Sequence, residues 1–220
     1  MIGVPSPLFA KGDAAPPPVI GPIDPATLFG SGELGAYYNF TAASTLAVNA
    51  DGTGGAPAVG ATCRSVLDLS PNGNRLNNAA NTATRRANGV ETSGTSDGLI
   101  NANSWPTINP PHEVVISFEQ IAHAGVDKNI MSGGTWQFIQ RASGKVALFN
   151  GSYGPDIDAP IGVETIADLI TPGGQPLFGM IIGSNFGGTN PTQVRFKHLL
   201  IIARALTTTE REGVTQWMQA

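Results

Sequence analysis

Apolar and polar residues alternate along short stretches of this chain, and glycine, proline and asparagine separate one stretch from the next. In VRFKHLLIIA (Val194–Ala203), Val194, Phe196, His198, Leu200 and Ile202 fall on one face of an extended strand. Arg195, Lys197, Leu199 and Ile201 fall on the other. The first half of this strand is therefore predicted to be half-exposed. The second half is predicted to be buried on both faces, as between two covering layers. GAYYNF (Gly35–Phe40), EVVISFEQI (Glu113–Ile121), TWQFIQR (Thr135–Arg141), KVALFNG (Lys145–Gly151) and LFGMIIG (Leu177–Gly183) read as further strands, with ASGK as a hairpin turn. Short strands with turn signals at this spacing predict an all-β sandwich or jelly roll.

Both ends break the pattern. In ALTTTEREGVTQWMQA, Thr207 and Glu210 have the spacing of a capping box. Val214, Trp217 and Met218 then share a helical face. A short helix is predicted from about Thr208 to Gln219, docked through Trp217, with Gly213 as its weak point. At the other end, seven of the 17 prolines fall within the first 25 residues. Proline fixes φ and cannot donate to a ladder, so this stretch is expected to be an extended arm. The chain thus divides into an arm over 1–34 and a β body over 35–220. Ile2, Val4, Leu8, Phe9, Val19 and Ile20 are candidate anchors of the arm, against the body or a neighbouring chain. Removal of residues 1–33 should leave a folded body.

With 220 residues and a hydrophobic fraction of 41%, the body can bury a proper core without staples. Cys63 is the only cysteine, cannot form an internal disulfide, and is expected to act as a small apolar residue. Charged residues make up 13% and the net charge is −4, which leaves no basic footprint for nucleic acid. MIGVPSPLFAKGD lacks the basic and apolar regions of a secretory signal, and LLIIARAL is too short to span a bilayer. Synthesis in the cytoplasm without membrane insertion is expected.

Candidate chemistry is sparse. GTGGAPAVG (Gly52–Gly60) lacks the Gly-Lys-Ser/Thr ending of a phosphate loop. His112, His123 and His198 have no metal-ligand spacing; His198 is expected in the core, and the other two in solvent. Glycoside hydrolysis needs two nearby carboxylates, and no Glu-x-Asp-x-Glu strand is present. Glu113 and Glu119 share a face but lie about 20 Å apart along their strand. PDIDAP places Asp156 and Asp158 on one side, as a calcium loop or as a plain solvated turn. No other cofactor is called for. For carbohydrate, Trp105 in INANSWPTINPP is the best exposed aromatic candidate, with Asn103 and Tyr153 as further candidates; core burial is the alternative.

Several blocks in order resemble the concanavalin A-like (laminin-G-like) jelly-roll domains of phage virion and bacterial surface proteins. They are the aromatic strand GAYYNF, then TAASTL (Thr41–Leu46), the turn DLSPNGN (Asp68–Asn74), the pair Arg85–Arg86, SGTSDGLIN (Ser93–Asn101), and FKHLLIIARALTTTEREGVTQWM (Phe196–Met218). The similarity covers about Gly35 to Ala220. It implies a concanavalin A-like jelly roll with a short C-terminal helix. Read with the arm, it implies a non-enzymatic virion surface protein: a fibre, spike or capsid decoration, made in the host cytoplasm. The arm would bind other virion proteins or further copies in a homo-oligomer, and the loops would contact host surface polysaccharide. The alternatives are a glycan-degrading enzyme of the same fold and a purely structural head decoration protein.

Overall fold

A computed structural model of the protein describes residues 20–77, 83–95, 98–101, 105–123, 125–184 and 190–220. After a 3-10 turn at Pro25–Phe29, the described chain forms β1 (Gly35–Asn39), β2 (Leu46–Ala47), β3 (Thr62–Cys63), β4 (Ser65–Val66), β5 (Leu76–Asn77), β6 (Ala83–Arg86), β7 (Gly89–Glu91) and β8 (Leu99–Asn101). It continues through β9 (His112–Gln120), β10 (Lys128–Gly133), β11 (Trp136–Gln140), β12 (Val146–Asn150), β13 (Glu164–Thr171), β14 (Met180–Ile182), β15 (Val194–Ile202) and a helix, α1 (Thr208–Met218). The strands pair antiparallel in two sheets. The first has the order β13-β9-β15-β7-β6-β3, with β1 also on β15; the second runs β12-β11-β10-β14-β8-β5-β4-β2. The all-β sandwich with a C-terminal helix is the fold the sequence predicted.

The main core lies between the sheets. Val114, Ile116 and Phe118 of β9 point into it, and Phe118 meets Phe138 of the second sheet edge to face at 5.4 Å. The alternate β9 residues Glu113, Val115, Ser117 and Glu119 lie on the outer face of the first sheet. A second core covers part of that face: Tyr37, Val115, Leu200 and Ile202 pack under Leu206, Val214 and Met218 of the C-terminal segment and under Leu28 and Phe29. This explains the doubly buried half of β15, where Leu199 and Ile201 face the other sheet and Leu200 and Ile202 face the helix.

One detail of β15 departs from simple alternation. Its register with β9 shifts between Phe196 and His198. Val194 and Phe196 consequently join the inter-sheet core, while His198 turns to the helix side, where it stacks on Tyr37. A bulge adds one residue to one strand, so the faces exchange beyond it.

α1 is capped as its sequence requires: Glu210 N donates to Thr207 Oγ1 at 3.2 Å, and Thr207 N donates to Glu210 Oε2 at 2.8 Å. Trp217 docks edge-on against Tyr37 and His198, at 5.6 and 5.3 Å between ring centroids. Residues 23–29, counted with the arm in the sequence reading, pack against this helix. Ile23 N donates to Gly213 O at 2.9 Å, and Leu28 and Phe29 are buried in the second core. Of the arm's candidate anchors, Ile20 is described and half-buried; Ile2, Val4, Leu8, Phe9 and Val19 lie outside the described residues. Among the described residues no helix is long and apolar enough to cross a membrane.

Candidate active site

Outer-face residues of the first sheet meet α1 at a cluster of three charged side chains. Glu113 is the second residue of β9 and stands opposite Ile202 of β15 and Ile170 of β13. Asp168 of β13 stands opposite Val115, which makes it the diagonal neighbour of Glu113 on the same face. Arg211, in the first half of α1, reaches down between them. Its Nε lies 2.9 Å from Glu113 Oε1 and 2.6 Å from Asp168 Oδ2, and its Nη2 donates to Glu113 Oε2 at 3.0 Å. Leu206 N, just before the helix, also donates to Glu113 Oε2 at 2.8 Å.

The two carboxyl groups have different surroundings. The Glu113 side chain is 0% exposed and surrounded by donors. Asp168 is 27% exposed, and its Oδ1 is buried without a partner among the described residues. Burial pushes the Asp168 carboxyl up to about 7; its hydrogen bond to Glu113 and the Glu113 charge add to the rise, and Arg211 opposes it. Asp168 therefore keeps its proton to well above the usual carboxylate range, with its side chain partly exposed.

Asp168 also lies where two depressions in the surface meet. An open groove of ≈ 410 Å³ runs between β13 and α1, lined by Ile166, Asp168, Arg211, Glu212, Thr215 and Gln216. A more apolar cleft of ≈ 290 Å³ lies at the sheet edge, where Leu148, Pro155 and Ile157 face Asp168 and Ile170. Glu212 adds an exposed second carboxylate to the larger groove. A proton-holding acid, a second acid and a fixed guanidinium in one groove can protonate a leaving oxygen and activate a water or a sugar carbon.

Other acidic groups on this face are committed to ion pairs. Glu91 pairs with Arg86 and Arg195, each at about 2.9 Å or less, and Glu119 pairs with Arg195 at 2.9 Å. Glu164 binds Lys197 and the Ser117 hydroxyl. Arg86 and Arg195 thus belong to a charged ladder across the sheet.

The residues that sequence reading singled out are dispersed. Trp105 is 8% exposed and packs in the inter-sheet core, which corrects its reading as an exposed platform. Asn103 lies outside the described residues. Tyr153 is 46% exposed; its hydroxyl donates to Asp127 Oδ2 at 2.9 Å, and the Arg141 guanidinium stacks 3.7 Å from its ring centroid. Asp156 pairs with Arg141 at 3.7 Å and Asp158 with Lys145 at 3.2 Å. The two acids thus pair with different cations, and no group of three metal-ligating side chains occurs among the described residues. His112, expected in solvent, is 0% exposed beside Trp136. His198 is held in the second core by the Tyr37 hydroxyl at 3.1 Å.

Sequence reasoning missed the acid pair because its members lie 55 positions apart, in different strands (168 − 113). Each strand carries a second acid of its own, Glu119 in β9 and Glu164 in β13, so neither strand singles out the pair. The available signal was an acid at the start of the apolar run of β9, with Arg211 one residue after the capping glutamate.

No family model matches the chain, and no curated protein matches it. Solved structures do share its fold. Trypanosoma rangeli sialidase in complex with sialic acid is 12% identical with a TM-score of 0.59, over 86% of this chain and 33% of that one. The same sialidase with the inhibitor DANA gives 13% and 0.58, over 91% and 35%. A mutant GH54 α-L-arabinofuranosidase soaked with 4-nitrophenyl α-L-arabinofuranoside is 10% identical with a TM-score of 0.53, over 89% and 66%. The chain spans about a third of the length of the sialidase. At these identities the likeness is one of fold. It nevertheless corrects the reading of a virion surface protein without chemistry, because the structures that share the fold are a sialidase and an arabinofuranosidase.

Proposed function

We propose that this chain is a glycan-acting enzyme domain that hydrolyses a glycosidic bond in the groove between β13 and α1. The observation behind this reading is Asp168, a partly exposed carboxyl that its own burial, and after it the neighbouring Glu113, push up to about 7. Glycoside cleavage needs an acid that still holds its proton at the working pH, and a second carboxylate to act on water or on the sugar. Asp168 fills the first role. Glu113 is wholly buried and cannot touch a sugar; it is a positioning residue that keeps the proton on Asp168. Glu212, exposed in the same groove, fills the second role. Arg211 bridges Glu113 and Asp168 and ties those two side chains together. The sugar ligands named with the arabinofuranosidase and sialidase structures support a glycan as the substrate class.

The test is release of 4-nitrophenol from a panel of aryl glycosides that includes α-L-arabinofuranoside and a sialoside, together with reducing-end release from polysaccharides. Hydrolysis is expected in the wild type. Asp168→Asn should lower kcat/KM by roughly 10²–10⁴-fold with an unchanged circular dichroism spectrum, as loss of a general acid does. Wild-type protein that cleaves nothing in either assay, or Asp168→Asn with undiminished activity, overturns the proposal.

A further inference from the structure

A separate polar pocket opens at the loop end of the sandwich, away from α1. It holds ≈ 220 Å³ and is bounded by Ser93 after β7, Ala122 and His123 after β9, Lys128 at the start of β10, Gln140 at the end of β11, and the segment 191–193 before β15. That volume is room for roughly seven waters, at about 30 Å³ each, or for one sugar ring.

The wall of this pocket is built by buried amides. Gln140 donates to Gln120 and, at 2.9 Å, to Ala122 O, and its own Oε1 accepts from Thr192 Oγ1 at 3.2 Å. Both glutamines and Thr192 are buried. Fully satisfied amides of this kind fix a wall's shape. The rim is fixed as well: Asn190, beside Pro191, takes φ 53°, the one positive φ outside glycine among the described residues. Backbone in this region persists where surrounding structure holds it, and such positions gather at binding sites.

Three groups remain for a ligand. His123 Nε2 meets Arg141 O at 2.7 Å; a carbonyl only accepts, so the ring proton sits on Nε2 and Nδ1 is left as an acceptor. Gln193 donates through Nε2 to Glu91, which leaves its Oε1 as a second acceptor. Lys128 forms no ion pair among the described residues. The adjacent acid, Asp127, is engaged by Ala142 N at 2.8 Å, by the Tyr153 hydroxyl and by Arg141. Two acceptors and an unpaired ammonium around a ring-sized space match hydroxyl donors on a ligand that also carries a negative charge.

We propose that this pocket is a recognition subsite for a sugar unit bearing a carboxylate, with Lys128 pairing with the carboxylate and His123 and Gln193 accepting from ring hydroxyls. This deepens the glycan-acting reading by assigning a substrate class, but the subsite binds without chemistry and can be tested without it.

The test is titration of the full chain with D-glucuronate, N-acetylneuraminate and glucose, followed by calorimetry and by chemical shifts of backbone amides around Thr192. Binding of at least one acidic sugar, at least tenfold tighter than glucose, is expected. Lys128→Met should lose at least tenfold of that affinity, and Ala122→Trp, which fills the exposed mouth, should abolish it. Asp168→Asn should bind as the wild type does, so a protein that binds but does not cleave separates failure of the catalytic proposal from failure of this one. No acidic-sugar binding by folded wild type, or undiminished binding by Lys128→Met, overturns the subsite.

Discussion

Ile23 occupies the space that a side chain at Gly213 would need. A Cβ built on Gly213 falls 2.5 Å from Ile23 Cγ1, and the two residues are tied by the hydrogen bond from Ile23 N to Gly213 O. A glycine inside a helix ordinarily costs about 1 kcal/mol relative to alanine. Here it permits the N-terminal segment to lie directly on the helix. Gly213→Ala is therefore expected to destabilise the protein, by roughly 1–3 kcal/mol from overpacking. The check is the urea midpoint, and a midpoint shifted upward contradicts the contact.

The same contact changes the expectation for truncation. Sequence alone suggested that a protein lacking residues 1–33 folds normally. Leu28 and Phe29, however, bury their side chains against Tyr37, Leu200 and Ile202. Each such burial is worth roughly 1.5–3 kcal/mol. The truncated protein should unfold several degrees or more below the full chain in calorimetry, with α1 less protected from amide hydrogen exchange. Equal melting temperatures rule out a structural role for this segment.

Arg211 is the only cation beside the buried Glu113 among the described ion pairs. Arg211→Met should leave that carboxylate uncompensated and cost about 3–5 kcal/mol. The double variant Arg211→Met with Glu113→Gln should recover much of the loss, because the buried charge is gone as well. A double-mutant cycle in denaturant measures this; additive losses exclude the pairing.

His198 makes acid stability pH-dependent. Burial lowers its pKa from 6.5 to about 4, with Lys197 also lowering it and Glu164 opposing. Between these values the unfolded chain takes up a proton that the folded one refuses, so stability falls as pH drops from 6.5 to 4. The loss is on the order of 3 kcal/mol, from about 1.4 kcal/mol per unit. Asp168 runs the other way: its carboxyl rises from 3.8 to about 7, so its contribution falls as pH rises through that range. Subtracting the stability curve of His198→Gln from that of the wild type isolates the histidine. A pH-independent difference between 4 and 6.5 refutes the assignment.

The turn at Asp68–Asn74 shows how far local sequence reached. The residues in DLSPNGN read as turn chemistry, and they behave so: Gly73 takes φ 68°, and Asp68 accepts from Ser70 N and from Asn74 N, each at 2.8 Å. Sequence could not show that the turn also clamps β1. Asp68 Oδ1 accepts from Tyr37 N at 3.0 Å, and the amides of Asn72 and Asn74 both donate to Gly35 O. The spacing of side chains that bond their own neighbourhood is local information, whereas a clamp on a strand 31 residues away is not.

By itself, the sequence determined part of the elements: β1, β9, β11, β12, β14, β15 and α1, but not β10 or β13. Alternation marked β15, a β-forming run after two prolines marked β9, the Thr207–Glu210 spacing marked the start of α1, and glycine and proline marked the turns, because each signal is carried within a few residues. Tertiary structure alone decided the site. A shift of one residue in β15 chose which face His198 serves, and the docking of α1 brought Arg211 onto Glu113 and Asp168. The rise of the Asp168 carboxyl comes from burial and from a partner on another strand, and the loss of Trp105 as a platform comes from packing. Neither is a property of the residue or its neighbours in the chain. They arise from the low-dielectric surroundings and the charges that long-range packing assembles, and these exist only once the two layers and the helix have closed on one another.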